Sequence, residues 1–182
     1  MESSLLKGYK KIDETMDPSK ANNTIMVWTF ILVLTIGIPY WFIWGIPDFG
    51  ISSLLKIIVV YILFIFLHEL LHVFGYIFIG KVRTKQVKLG IIWKQFMPYA
   101  HCKVPMKITP YKFSVLLPVI LGIVPLIFAF LYGHGFWFVI GFLMFAGSLG
   151  DFLILWMLKG YPRDTLAQDH PSKIGCYVYT LE

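Results

Sequence analysis

Residues 57–79 read IIVVYILFIFLHELLHVFGYIFI, an apolar run that is interrupted by three polar residues, His68, Glu69 and His72. A helix needs about 20 mostly apolar residues to cross a bilayer, and this run is long enough to do so. Ionisable side chains at membrane depth are costly and are usually retained for a function. The run therefore predicts a membrane-spanning helix that carries a functional site.

The three polar residues form the pattern H-E-x-x-H. Residues four apart lie on the same face of an α-helix, so His68 and His72 can direct their imidazoles at one metal ion. Glu69 lies about 100° around the helix, within reach of a water molecule beside that ion. The pattern is a signature of zinc metallopeptidases, in which the glutamate is the general base. It predicts His68 and His72 as zinc ligands and Glu69 as the catalytic residue.

The composition excludes an ordinary soluble domain. Of the 182 residues, 58% are hydrophobic and 14% are charged, whereas soluble domains contain about 25% charged residues. Cys102 and Cys176 are far apart in sequence and fit no metal-binding spacing. We expect an integral membrane protein in contact with the lipid bilayer, with two reduced structural thiols.

Four apolar segments predict an all-α integral membrane protein. The expected membrane domain covers residues 25–158, between an N-terminal tail (residues 1–24) and a C-terminal tail (159–182). Within the first tail, residues 5–12 are expected to form a short amphipathic helix. The predicted spans are residues 24–44, 53–79, 113–132 and 136–158.

The connector between the second and third spans, residues 81–112, contains eight basic residues and no acid. Within it, Val87, Leu89 and Ile91 alternate with Lys88 and Gly90, the period of a β-strand. This alternation predicts one or two β-hairpins at the membrane surface. A basic loop held to anionic lipid is the alternative interpretation.

The distribution of basic residues predicts the topology. Four spans place both tails and the connector on one side, and these segments hold four, three and eight basic residues, whereas the two opposite loops hold none. By the positive-inside rule, both termini are expected in the cytoplasm, with the protein in the cell membrane. The Lys- and Ile-rich composition points to a bacterial cell. The net charge of +6 follows this topology, so nucleic acid is not an expected partner.

A catalytic zinc site needs a third protein ligand, and Asp151 is the leading candidate. The spans contain two acids, Glu69 and Asp151. His72 lies nine residues before Lys81 and Asp151 eight before Lys159, which places both roughly 12–13 Å from the cytoplasmic helix ends. The alternative role for Asp151 is a helix–helix hydrogen bond or an ion pair.

Other features near the expected site leave alternatives open. Gly147 and Gly150 are expected to let the fourth span approach the second closely. His101 and His170 are possible accessory residues, which would shield the site or replace Asp151 as a ligand.

The combination of H-E-x-x-H in one span with Asp151 beside glycine in a later parallel span resembles the site-2 proteases, which are intramembrane zinc metallopeptidases. The chain also resembles a bacterial zincin peptidase family. The resemblance covers residues 53–158 and implies that His68, His72 and Asp151 bind Zn²⁺ and that Glu69 is the general base. It implies that the segment 81–108 is β-rich and pairs with an unfolded substrate strand. Here Gly150 precedes the aspartate and Phe152 follows it, whereas the family has glycine after the aspartate.

The expected function is therefore zinc-dependent hydrolysis of peptide bonds in membrane-embedded protein or peptide substrates, near the cytoplasmic leaflet. Two alternatives from other classes remain: an inactive metal-binding membrane scaffold and a small metal transporter. Nothing in the sequence predicts the substrate or the oligomeric state.

Overall fold

The computed structural model describes residues 8–93 and 97–181. The predictions for residues 1–7 of the N-terminal tail, and for Lys94 of the connector, lie outside these ranges. The described chain is mostly helical, with two small β-sheets in addition to the helices.

Within the described ranges, four helices are long and apolar enough to cross a membrane: α1 (Pro18–Trp44), α2 (Ile51–Ile79), α3 (Ile108–Tyr132) and α4 (Gly135–Met157). Most large apolar side chains of α1 and α2 are exposed rather than packed inside the protein. A soluble protein rarely exposes apolar surface on this scale. The four helices are consistent with a multi-pass membrane protein.

Two helices begin at least five residues earlier than predicted. α1 begins at Pro18, six residues before the expected start, because the Asp17 carboxylate accepts hydrogen bonds from the backbone N–H groups of Ser19 (2.9 Å) and Lys20 (3.3 Å). α3 begins at Ile108 rather than at residue 113, so the third helix includes Lys112.

Each long helix also departs locally from α-helical geometry. A π-helical segment, Val33–Gly37, lies within α1 just before Pro39, and another, Gly75–Ile79, ends α2. A 3₁₀ turn, Leu117–Val119, surrounds Pro118 in α3. α4 is interrupted at Ser148, between Gly135–Gly147 and Leu149–Met157.

The prediction of an all-α protein was incomplete, because the tails and the connector form two sheets. Strands β2 (Val87–Ile92) and β3 (Met97–Cys102) form an antiparallel hairpin, as the alternation in the connector predicted. The other strands form an antiparallel four-stranded sheet in the order β1-β6-β5-β4: β1 (Tyr9–Met16), β4 (Met106–Lys107), β5 (Leu166–Asp169) and β6 (Ile174–Leu181).

The prediction of a helix at residues 5–12 was wrong for residues 8–12, the part of this segment that the structure describes. Residues 9–16 form β1, which pairs with β6 from Tyr9 opposite Leu181 to Met16 opposite Ile174. The partner strand lies at the far end of the chain, so no local pattern could indicate it.

The four-stranded sheet packs against the connector-side ends of the helices. Its main hydrophobic cluster joins Tyr76 at the end of α2, Tyr111 near the start of α3, Leu158 just after α4, and Cys176 and Val178 of β6. A second cluster, around Ile57, Ile140 and Met144, holds α2 against α4 within the bundle. The H-E-x-x-H segment of α2 lies between these two clusters in sequence.

The predicted glycines do not make a close helix contact. A Cβ atom built at Gly147 or Gly150 meets nothing within 4 Å, so these residues do not bring α4 against α2. At Gly75, a Cβ atom would lie 2.7 Å from the Cα atom of Ser114. Gly75 therefore marks a close backbone contact between α2 and α3, one turn beyond His72.

We expect Gly75→Ala to lower the free energy of unfolding by about 1–3 kcal/mol, because the added methyl group forces the backbone of α3 away from α2. Thermal unfolding in detergent would measure the loss. Gly147→Ala is the matched control and should leave stability unchanged or raise it, since its site has room and alanine favours helix. Equal stability of the two variants would contradict this interpretation of Gly75.

Candidate metal centre

Two helices bring three potential ligand atoms together. His68 and His72 lie one turn apart on α2, with their Nε2 atoms 3.2 Å from each other. Asp151 of α4 places its Oδ2 atom 3.3 Å from His68 Nε2 and its Oδ1 atom 3.4 Å from His72 Nε2. The three residues form a group that could hold a metal ion, with ligand atoms all within 4.8 Å of one another.

The spacing and the chemistry of this group suit zinc. Ligand atoms about 2.0–2.2 Å from a tetrahedral zinc ion lie about 3.3–3.6 Å apart, close to the separations observed here. Asp151 Oδ2 is buried and, although His68 Nε2 lies 3.3 Å away, it accepts no hydrogen bond from the described residues. A buried carboxylate oxygen without a partner is costly, and a cation between the three side chains would satisfy it.

A hydrogen bond on the other side of the His72 ring fixes the tautomer of this histidine. His72 Nδ1 lies 3.1 Å from the backbone carbonyl oxygen of Ser114. A carbonyl oxygen only accepts, so Nδ1 carries a proton that it donates, and Nε2 of the neutral ring keeps its lone pair. The close approach of Gly75 to Ser114 thus brings a backbone acceptor of α3 to the histidine and orients it towards Asp151.

Glu69 lies beside this group and contacts the connector hairpin. Its Oε2 atom accepts a hydrogen bond of 2.6 Å from the backbone N–H of Ala100 in β3. Along a strand the N–H groups point alternately to the partner strand and away from it. The Ala100 N–H points away from β2, so the outer edge of β3 faces Glu69.

Asp169 of β5 accepts hydrogen bonds from three parts of the chain. Its Oδ2 atom accepts from the backbone N–H of Cys102 in β3 (2.6 Å), two residues after Ala100 on the same edge. Its Oδ1 atom accepts from the hydroxyl groups of Tyr111 in α3 (2.6 Å) and Tyr76 in α2 (3.3 Å). We call this set of four residues the Asp169 network.

The Asp169 network reaches the candidate metal centre through aromatic stacking. The Tyr76 ring lies between those of His72 and Tyr111, with both centroid separations at 6.3 Å. Tyr76 and Tyr111 are 3% and 0% exposed, so their hydroxyl groups depend on protein acceptors. Nothing in the sequence distinguishes Asp169 from the other acids near the chain termini, and its position was missed for that reason.

The structure does not bring the two accessory histidines into the group. His101 Nδ1 lies 3.9 Å from Asp169 Oδ2, and burial lowers the pKa of His101. His170 Nδ1 accepts hydrogen bonds from the backbone N–H groups of Ser172 (3.1 Å) and Lys173 (2.8 Å) and holds a turn. Neither histidine contributes to the group formed by His68, His72 and Asp151.

The two cysteines lie in the packed interior. Cys102 and Cys176 are both free and 0% exposed. Burial raises the pKa of each thiol to about 12. Both thiols stay protonated at neutral pH and pack as small apolar side chains.

Comparison with known proteins gives one result. Residues 61–166 match the model of a family described as "Putative zincin peptidase". The matched segment contains His68, Glu69, His72 and Asp151. No curated protein and no solved structure matches the chain.

We expect the purified protein to bind one zinc ion per chain, and His68→Ala and Asp151→Ala each to lose it, because each removes one of three converging ligands. Metal analysis of detergent-purified protein after zinc addition and desalting would measure the content. His101→Ala and His170→Ala are the controls and should keep their zinc. Retention of zinc without Asp151 would contradict its assignment as a ligand.

We expect Asp169→Asn and Tyr111→Phe each to lower the free energy of unfolding by about 1.5–3 kcal/mol, because a buried charge-assisted hydrogen bond is lost. The double variant should lose less than the sum, since both changes remove the same bond. Unfolding in detergent would give the values. Tyr132→Phe, at a residue that is 67% exposed, should be neutral, and additive effects would contradict the network.

Proposed function

The chain belongs to this zincin peptidase family, and from its membership and the site geometry we propose that it is a zinc-dependent intramembrane endopeptidase. In this proposal His68, His72 and Asp151 are the zinc ligands and Glu69 is the general base. The observation that carries it is the convergence of three ligand atoms within 4.8 Å, with Glu69 next to His68 on α2. Family membership supports a metallopeptidase; the intramembrane, site-2 protease type is our inference.

Zinc at this position would supply a Lewis acid for the scissile carbonyl and lower the pKa of a water nucleophile. Glu69 takes the proton of the attacking water and delivers it to the leaving amine. The Ala100 N–H positions the Glu69 carboxylate before substrate binds. Ser114, through its carbonyl oxygen, keeps the Nε2 lone pair of His72 available for the metal.

The outer edge of β3 is the proposed docking site for the scissile segment. The N–H groups on this edge, at Ala100 and Cys102, donate to Glu69 and Asp169 rather than to another strand. An extended peptide that replaced the Glu69 contact at Ala100 would place its backbone beside the catalytic carboxylate. This is edge addition, in which main-chain hydrogen bonds supply affinity.

The proposed substrate is a membrane-embedded segment that has locally unwound. A transmembrane helix hides its carbonyl groups in internal hydrogen bonds, so hydrolysis requires an extended stretch. The hairpin and the four-stranded sheet lie on the side of the connector and the two tails. With the positive-inside orientation, cleavage would occur near the cytoplasmic leaflet, and both chain termini would be cytoplasmic.

We expect Glu69→Gln to reduce hydrolysis of a cleavable membrane substrate by at least about 100-fold, because the amide cannot accept the proton of water. Zinc content should be unchanged, since Glu69 is not among the three converging residues. Single-turnover cleavage in proteoliposomes, beside metal analysis, would measure both. Equal cleavage by the wild type and Glu69→Gln would contradict a peptidase and favour a metal-binding scaffold.

A second variant tests the contact between the β3 edge and Glu69. Ala100→Pro removes the N–H that faces Glu69 and leaves the β2–β3 ladder intact, because that N–H lies outside the ladder. Position 98, two residues earlier on the same edge of β3, is already occupied by a proline. We expect Ala100→Pro to impair cleavage but not zinc binding, and the control Pro98→Ala to preserve both.

A further inference from the structure

A lateral groove of about 770 Å³ runs between α3 and α4. Phe113 and Leu116 of α3 form one wall, and Leu149, Phe152 and Leu155 of α4 form much of the other. Asp151 does not line the groove, so the groove is separate from the candidate metal centre. Its volume is typical of a small-molecule site, and such sites are usually apolar with a few placed polar groups.

Two lysines lie at one end of this groove. Lys112 follows the start of α3 and Lys159 follows the end of α4, so both mark the connector side of the bundle. Lys112 Nζ donates one hydrogen bond, of 2.8 Å, to the backbone carbonyl oxygen of Leu158. An ammonium group has three donors, so Lys112 keeps two others. None of the described residues that line the groove is acidic.

Two tryptophans lie in the same groove. Trp28 of α1 and Trp156 of α4 contact each other edge to face, with ring centroids 6.3 Å apart. Lys159 Nζ lies 5.4 Å from the centroid of the Trp156 ring. Tryptophan and lysine together at the end of a membrane helix are typical of the headgroup level of a bilayer.

We propose that this groove binds an anionic phospholipid, with an acyl chain between α3 and α4 and the phosphate at Lys112 and Lys159. Charge complementarity selects the headgroup, because both ionisable side chains in the lining are cations. The apolar walls select the acyl chain over a free phosphate ion, which would leave them uncovered. Basic pockets between membrane helices bind anionic headgroups on these grounds. The site does not depend on peptidase activity.

Tryptophan quenching tests the proposal directly. The wild-type protein in detergent is titrated with phosphatidylglycerol or phosphatidylcholine whose acyl chains carry bromine, which quenches nearby indoles. We expect saturable quenching with a clear preference for phosphatidylglycerol. The double variant Trp28→Phe/Trp156→Phe should lose that component, whereas Trp41→Phe, which is outside the groove and 53% exposed, should keep it.

The headgroup contact is tested with a charge-matched pair of variants. Lys112→Gln/Lys159→Gln should raise the phosphatidylglycerol concentration that gives half-maximal quenching roughly 10- to 30-fold. It should also remove the preference for phosphatidylglycerol over phosphatidylcholine. Lys85→Gln/Lys103→Gln removes the same charge from the connector outside the groove and should have no such effect. If loss of the Lys112 hydrogen bond unfolds the first variant, Lys159→Gln alone should still weaken binding.

Three results would overturn the proposal. Equal quenching by the two lipids would show that no headgroup is selected. Saturable quenching that survives in Trp28→Phe/Trp156→Phe would place the lipid elsewhere. Displacement of the brominated lipid by a single-span helical peptide, with no preference between headgroups, would identify a helix as the occupant.

Discussion

Asp151 lies inside an apolar helical bundle with two imidazoles within 3.4 Å of its carboxylate oxygens, and the remainder of the structure is arranged around this contact. An unpaired buried carboxylate costs several kcal/mol, and the cost is greater where lipid replaces water. The contact requires that α2 and α4 lie at one relative depth. Gly75 packs against Ser114 of α3, whose carbonyl oxygen lies 3.1 Å from His72 Nδ1, so three helices meet at this polar group.

The four-stranded sheet extends this positioning beyond the helices. Asp169 joins the C-terminal segment to Tyr76 of α2, Tyr111 of α3 and the β3 edge. The same edge supplies the N–H that binds Glu69. A segment that appears in sequence as a polar tail therefore holds the strand beside the proposed general base. The tail is part of the site's support, and its sheet pairing with β1 ties both ends of the chain to that support.

The fourth helix serves two environments with different residues. Asp151 faces α2 and the candidate metal centre, whereas Phe152 and Leu155, with Lys159 just after the helix, line the lateral groove. One face depends on excluding lipid from a polar cluster, and the other presents an apolar surface with a cationic end. This division follows from helical periodicity, because consecutive residues point about 100° apart.

The sequence by itself determined the elements whose signals are local. Continuous apolar runs predicted four long helices, alternation predicted the β2–β3 hairpin, and the spacing of His68 and His72 placed two imidazoles on one helix face. Asp151 was selected because Glu69 and Asp151 are the two acids of the predicted spans, and the depth estimate from residue numbers supported the choice. The tertiary structure alone decided the contacts between distant segments. β1 pairs with β6, Asp169 reaches Tyr111, and Gly75, rather than Gly147 or Gly150, makes a close helix contact. These contacts depend on which surfaces meet after folding. The residue types of one segment do not identify the distant segment that it will contact.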